Sequence, residues 1–243
     1  GNKSLYNDND LANKFSINFI TSHDGFTLKD LVSFNKKHNL ANGENNRDGE
    51  NNNNSYNYGI EGPTTNKEIN NLRKKQQRNL LSTLLLSPGI PMILMGDEVG
   101  RSQGGNNNTW CQNNTLGWMS WDKKNCDHDL KEFVIKLISL RKNLPEFFNP
   151  NSIYHSYKDY SKIKTSDITS GFWIQWHGVK VNQPDWSDWS HTLGYSINKK
   201  EEGSAIWLGF NAYKEEMIFE LPKPISPWKK YIDTSFSKNK NIS

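Results

Sequence analysis

Apolar and polar positions alternate along this chain in two different styles. Ile17-Asn18-Phe19-Ile20-Thr21 reads as a short buried strand, because Ile17, Phe19 and Ile20 favour burial and Thr21 favours extended backbone. It stops at Ser22-His23-Asp24-Gly25, where the glycine supplies a turn. Thr27 to Phe34 follows as a short helix, with Thr27 as N-cap and Asp30 three residues on. Residues 40–66 form a long polar loop dense in Asn and Gly, and a loop of that length within a domain is either functional or disordered. Glu68 to Ser87 is a helix whose apolar residues crowd toward its end, and Ser87-Pro88-Gly89 stops it. The continuous apolar run Ile90 to Met95 predicts a strand buried on both faces, ending in Gly96-Asp97-Glu98. A second Gly/Asn-rich loop carries Arg101, Asn106-Asn107-Asn108 and Trp110. Beyond it Leu130, Phe133, Val134, Leu137 and Ile138 lie on one face of an amphipathic helix.

At Asn143-Leu144-Pro145 the style changes to short aromatic strands separated by turns: 172–176, 192–197, 205–210, 217–221 and 228–232. That spacing predicts an antiparallel β-sandwich. The division expected is residues 1–145 for an α/β part and 146–243 for a β part. Two strand–helix units cannot close a sheet, and a (β/α)₈ barrel takes about 250 residues by itself. The chain also begins at Gly1 without a Met. Both features predict a piece of something longer.

Composition narrows the function. The chain has 243 residues and a net charge of +4, with 34% hydrophobic and 12% aromatic residues. Mean hydropathy is −0.84, but the deficit sits in the Asn-rich stretches, and nine Trp and nine Tyr supply core. Basic residues are scattered, apart from the Lys-rich tail near Lys238-Asn239-Lys240, so no basic face interleaved with aromatics points to nucleic acid. Cys111 and Cys126 show no metal-binding spacing and no disulfide framework. The Asn/Asp-rich residues 42–54 lack the ordered acidic spacing of a calcium loop, so neither a metal nor a cofactor is expected. No signal peptide and no membrane-spanning run is read from the sequence.

The chemistry concentrates in His23-Asp24. Taken alone, Asp-Gly after a His is a turn with a solvated neighbour. At the carboxyl end of a parallel strand, however, is where ligands bind in α/β folds. The flanking segments carry a resemblance to a known family. Ile17 to Gly25 and Gly89-Ile90-Pro91…Gly96-Asp97-Glu98 resemble two signature regions of the α-amylase superfamily, glycoside hydrolase family 13. The finer resemblance is to its isoamylase and glycogen-debranching branch. It is carried by Phe26 to Ser33, Asn42 to Gly49, Gly59 to Thr64, Arg78 to Leu86, Gly96 to Gln103, Trp176-His177-Gly178-Val179 and Gln183-Pro184-Asp185-Trp186-Ser187.

That resemblance implies the last two β/α units of a (β/α)₈ barrel followed by an incomplete antiparallel β-sandwich. It implies retaining cleavage of α-1,6 branch linkages in glycogen- or amylopectin-like glucans, in a cytoplasmic or plastid-like compartment. Asp24 matches the aspartate that stabilises the oxocarbenium-like transition state and His23 the neighbouring sugar-binding histidine; Arg101, Asn107 and Trp110 are further candidate substrate-binding residues, with Trp110 either a stacking platform for a glucose face or an anchor that packs the loop. The family's nucleophile and acid/base lie on earlier strands, so this chain is expected to be inactive alone. Asp97 and Glu98 cannot replace them, since a retaining pair needs carboxyls about 5–5.5 Å apart and adjacent residues on a strand face opposite ways. Their expected role is architectural. The chain has Trp110 where the family has Tyr, Asn113 where it has Asp, and Thr115 where it has an acidic residue. A non-catalytic glucan-binding or regulatory homologue is the alternative those changes leave open. Trp186 and Trp189 are expected in the core or at a domain contact. The expected partner is a branched α-glucan rather than nucleic acid or a membrane.

Overall fold

The computed structural model describes residues 17–148, 153–154, 172–199, 203–224 and 226–235. The described residues fall into two compact units, one within Phe15–Asn143 and Lys230–Ser243, the other within Leu144–Lys229. The Lys-rich tail at 238–240 lies outside the described residues.

In the first unit, strand β1 (Ile17–Asn18) leads to a one-turn helix α1 (Leu28–Leu31). A long helix α2 (Lys67–Leu86) follows, then strand β2 (Ile90–Pro91) and helix α3 (His128–Asn143). β1 and β2 pair in parallel, Ile17 opposite Ile90 and Asn18 opposite Pro91, with α2 in the connection. The predicted helix starts hold. Thr27 accepts from the Asp30 amide at 3.2 Å, and Asn66 caps α2 by accepting from the Glu68 and Ile69 amides. Arg141 closes the other end of α2, donating to the carbonyls of Leu85, Ser87 and Gly89, which α2 and its stop signal leave without helical partners. The core lies between α2 and α3, with Leu81, Leu84 and Leu85 facing Phe133, Val134 and the fully buried Leu137, and it extends under α1 through Phe26, Leu28 and Val32.

The strands are less buried than their sequences predict. Ile17 and Phe19 are each 56% exposed, and Met95 61%. Only Ile90–Pro91 of the apolar run 90–95 is strand. A parallel strand is buried when neighbouring strands and covering helices flank it, and among the described residues this pair has no third strand. No helix among the described residues is long and apolar enough to cross a membrane.

The second unit begins with a short helix α4 (Pro145–Phe148) and strand β3 (Ile153–Tyr154). Then come β4 (Phe172–His177), β5 (Thr192–Lys199) and β6 (Gly203–Asn211). They form one sheet in the order β3-β4-β5-β6, in which β4, β5 and β6 are antiparallel as expected and β3 joins β4 in parallel. β5 is central and buried from Gly194 to Asn198. Three of the five predicted strands therefore stand, but the described residues of this unit hold one sheet and not the two layers of a sandwich. Met217 to Leu221 makes a single backbone contact, Glu220 N to Val179 O at 2.9 Å, and leaves Ile218 90% exposed. At 228–232 only Ile232 makes an isolated bridge. Trp186 and Trp189 are 64% and 75% exposed and so are not core residues. Trp186 packs edge-on against Trp176, their ring centres 5.5 Å apart.

His177 does belong to the core of this unit. It is fully buried, its Nδ1 accepts from the Asn182 amide at 2.9 Å, and its Nε2 then donates to Ser196 Oγ at 2.9 Å. Burial holds its imidazole below the ordinary value and keeps it neutral.

Candidate active-site cleft

The turn carrying His23 and Asp24 is a surface excursion pinned at both feet. Thr21 is buried and its hydroxyl donates to Asp97 Oδ2, while the Leu28 amide donates to Asp97 Oδ1 at 2.9 Å. Between those feet the chain runs outward, and the side chains of His23 and Asp24 are 87% and 81% exposed with Nε2 and Oδ2 3.4 Å apart. Gly25 makes the outward turn at φ +102°, a left-handed conformation that a side chain would disfavour, and its amide donates to Asn107 O at 3.0 Å. Phe26, Thr27 and Leu28 then return to the core.

Asp97 is 2% exposed. Burial pushes its carboxyl up to about 6 despite the hydrogen bonds from Thr21 and Leu28. Glu98 accepts from the Gly96 amide at 2.9 Å. Neither lines the cleft that Asp24 lines, and both act on their own chain's backbone and side chains.

That cleft holds about 540 Å³. One wall is Phe19 to Ser22 with Asp24, Gly25 and Phe26; the other is Gly49, Glu50, Asn52 and Asn53, with Asn107 and Asn108 between. A second carboxylate, Glu50, thus shares the cleft with Asp24. The amides of Asn52 and Asn51 hold the Glu50 carboxyl below its ordinary value, with Oε1 2.7 Å from Asn52 N. A general acid needs a raised pKa to arrive protonated at neutral pH, so Glu50 is unsuited to that task.

The long polar loop is neither disordered nor structureless. Its Asn residues form a hydrogen-bonded scaffold with the second loop. Asn39 and Asn107 pair reciprocally: Asn39 Nδ2 donates to Asn107 Oδ1 at 2.8 Å and Asn107 N donates to Asn39 Oδ1 at 3.0 Å. Asn42 and Asn106 join side chain to side chain at 2.8 Å, and Asn42 also donates to Asp48 Oδ2 and Asn108 O. Asn42 first, and then Asn108, whose side-chain amide donates to Asp48 Oδ2 at 3.2 Å, hold the Asp48 carboxyl below its usual range. Lys37 Nζ donates to the carbonyls of Arg47, Asp48 and Gly49 at 3.1, 2.6 and 3.1 Å. On the other side, buried Asp30 accepts from Ser102 Oγ and from the amides of Gln103 and Gly105. Glu61 ties down the far end of the loop. It accepts from the Asn35 and Lys36 amides, from His38 and from Asn57, and these bonds outweigh its desolvation and bring its carboxyl to about 2.

Asp24 and Asn107 are thus brought to one cleft, with His23 beside Asp24. Asn107 is 2% exposed and its amide is taken by protein partners. Arg101 and Trp110 do not line this cleft. The Arg101 guanidinium donates to Gly117 O at 2.6 Å, and Trp110 stands 76% exposed on the Thr109–Cys111 turn. Asn113 Oδ1 accepts the Trp118 indole N–H at 3.2 Å, an acceptor role that an amide fills as well as a carboxylate. Lys37, Asn39, Glu50 and Asn52 stand in no motif that marks them in the sequence. The available signal was Asn and Gly recurring at 42–54 and 104–108, two polar loops able to satisfy each other.

Residues 175–240 match the family described as Isoamylase 1-3, C-terminal. Over 96% of its length the chain is 37% identical to "Isoamylase 1, chloroplastic" of Oryza sativa subsp. japonica, covering 27% of that protein. It is 38% identical over 97% of its length to "Glycogen operon protein GlgX homolog" of Mycobacterium tuberculosis, covering 34% of it. It is 51% identical over 86% of its length to "Glycogen debranching enzyme" of Pectobacterium atrosepticum, covering 29% of it. Along most of its length the chain is therefore similar to proteins named as isoamylases and glycogen-debranching enzymes. It spans between a quarter and a third of the length of these relatives.

Proposed function

We propose that the chain is part of a glycoside hydrolase that cleaves α-1,6 branch linkages of glycogen- or amylopectin-like glucans with retention of configuration. Residues 1–145 are read as the closing β/α units of a (β/α)₈ barrel and 146–243 as a C-terminal β domain. The parallel β1–β2 pair with α2 between its strands supports the first assignment. The observation that carries the functional reading is Asp24 itself, a carboxylate on the turn that follows the parallel strand β1. It lines a cleft shared with Asn52, Asn53 and Asn107, and its turn is held at both feet through Thr21 and Leu28.

In this reading Asp24 accepts hydrogen bonds from sugar hydroxyls and tightens its hold as the ring flattens toward an oxocarbenium ion, so its contribution appears in the transition state. His23 donates to the same sugar. Arg101 positions the second loop through Gly117, and the exposed face of Trp110 offers a stacking surface further along the glucan. The nucleophile and the acid/base belong to the part of the protein that the relatives carry beyond this chain. This chain by itself does not turn over glycogen.

The test is the product of the full-length protein. Incubation with glycogen or amylopectin should release linear maltooligosaccharides, and unbranched amylose should stay intact. Binding of glucan without release of chains from either polymer would replace this reading with a non-catalytic homologue.

A further inference from the structure

The wall facing Asp24 is built, and one side chain on it is left uncommitted. Asn107 makes the wall. Its Nδ2 donates to Glu50 O at 2.8 Å and to Asn53 Oδ1 at 2.6 Å, and its carbonyl receives the Gly25 amide at 3.0 Å. One buried residue therefore fixes the Asp24–Gly25 turn against residues 50–53. Lys37 clasps the stem of that segment through three carbonyls. Gly49 lets the stem pass, since a Cβ there would stand 2.3 Å from Asn107 Oδ1 and 2.6 Å from Asn39 Nδ2, at a φ of +74°. Along the wall, Glu50 is turned back onto the Asn52 amide and Asn53 is held by Asn107. The Asn52 side chain lines the cleft and makes no hydrogen bond to any described residue.

A planar amide with two donors and one acceptor suits the vicinal hydroxyls of a pyranose, each of which both donates and accepts. Because the loop is already ordered, little freedom is lost when that amide engages a ligand. We propose that Asn52 is a substrate-contacting residue that hydrogen-bonds hydroxyls of the glucose unit held by Asp24, and that Asn107 is the positioning residue that sets the distance between the two walls. The inference rests on the reading of the Asp24 cleft as a glucan site. It gives Asn107 a different task from direct sugar binding, because both of its amide hydrogens and one of its acceptor sites already serve the protein.

The test uses the full-length protein, with maltohexaose titrated calorimetrically and glycogen turnover measured beside it. Asn52→Ala should weaken maltohexaose binding about tenfold, the loss of one or two hydrogen bonds, with an unchanged melting temperature. Asn51→Ala, on the same loop but outside the cleft, should leave binding unchanged. Asn107→Asp sets a carboxylate oxygen against Glu50 O and Asn53 Oδ1 and should weaken binding in wild type yet cost far less in the Asn52→Ala background. A merely structural role for Asn107 would lower the melting temperature without that coupling. Unaltered binding in Asn52→Ala, or no maltohexaose binding by the wild-type protein, overturns the inference. A wild-type protein that binds maltohexaose and never cleaves glycogen overturns the debranching activity instead and leaves the Asn52 contact standing.

Discussion

The Thr21 hydroxyl donates to the carboxylate of Asp97, whose other oxygen receives the Leu28 amide, so one buried side chain holds both feet of the turn that presents Asp24. Asp97→Ala should orphan the Leu28 amide and cost about 1–3 kcal/mol in chemical denaturation. Asp97→Asn should be tolerated far better, since its Oδ1 still accepts from Leu28 while its amide donates to a rotated Thr21 hydroxyl. Equal losses in the two variants would contradict the clamp.

The same carboxyl has a pH signature. Its folded value of about 6 lies above the ordinary 3.8, so the folded state binds the proton more tightly. The contribution is complete below about pH 4 and is lost as pH rises through 6. Asp97→Asn should remove that decline, seen by comparing denaturation midpoints of the two proteins from pH 4 to 7.

His177 works in the opposite direction in the β unit. Its folded value lies below the ordinary 6.5, so the unfolded chain binds the proton more tightly and stability is lost as pH falls below about 6.5. Tryptophan fluorescence of the β unit during urea unfolding should report a lower midpoint at pH 5 than at pH 7. Ser196→Ala, which strands the buried Nε2–H, should cost about 1–3 kcal/mol at neutral pH.

Arg141 gathers three carbonyls at the end of α2, a fan that one ammonium cannot reproduce. Arg141→Lys should lower stability by about 1–3 kcal/mol, and the backbone from Leu86 to Gly89 should exchange its amide hydrogens faster. Unchanged exchange there would show that the fan contributes nothing.

Much of this was legible in the chain. The Thr27 and Asp30 spacing announced α1, Ser87-Pro88-Gly89 marked the end of α2, and the aromatic runs at 172, 192 and 205 became β4, β5 and β6. Periodicity reports which face of an element is apolar, not whether a neighbour covers it. That is why Ile17, Phe19 and Met95 read as buried and are exposed. The turn at His23-Asp24 was visible because glycine punctuates it. The Asn scaffold was not, because partners such as Asn39 and Asn107 lie 68 residues apart and pairing between polar loops leaves no period.

Asp24 carries the proposed chemistry. In the full-length protein Asp24→Asn removes the charge while keeping the side chain's shape, and the predicted result is a fall in kcat on amylopectin of about 10²–10³-fold, with KM and melting temperature nearly unchanged. A variant that keeps kcat within threefold of the wild type would show that this exposed carboxylate takes no part in the transition state.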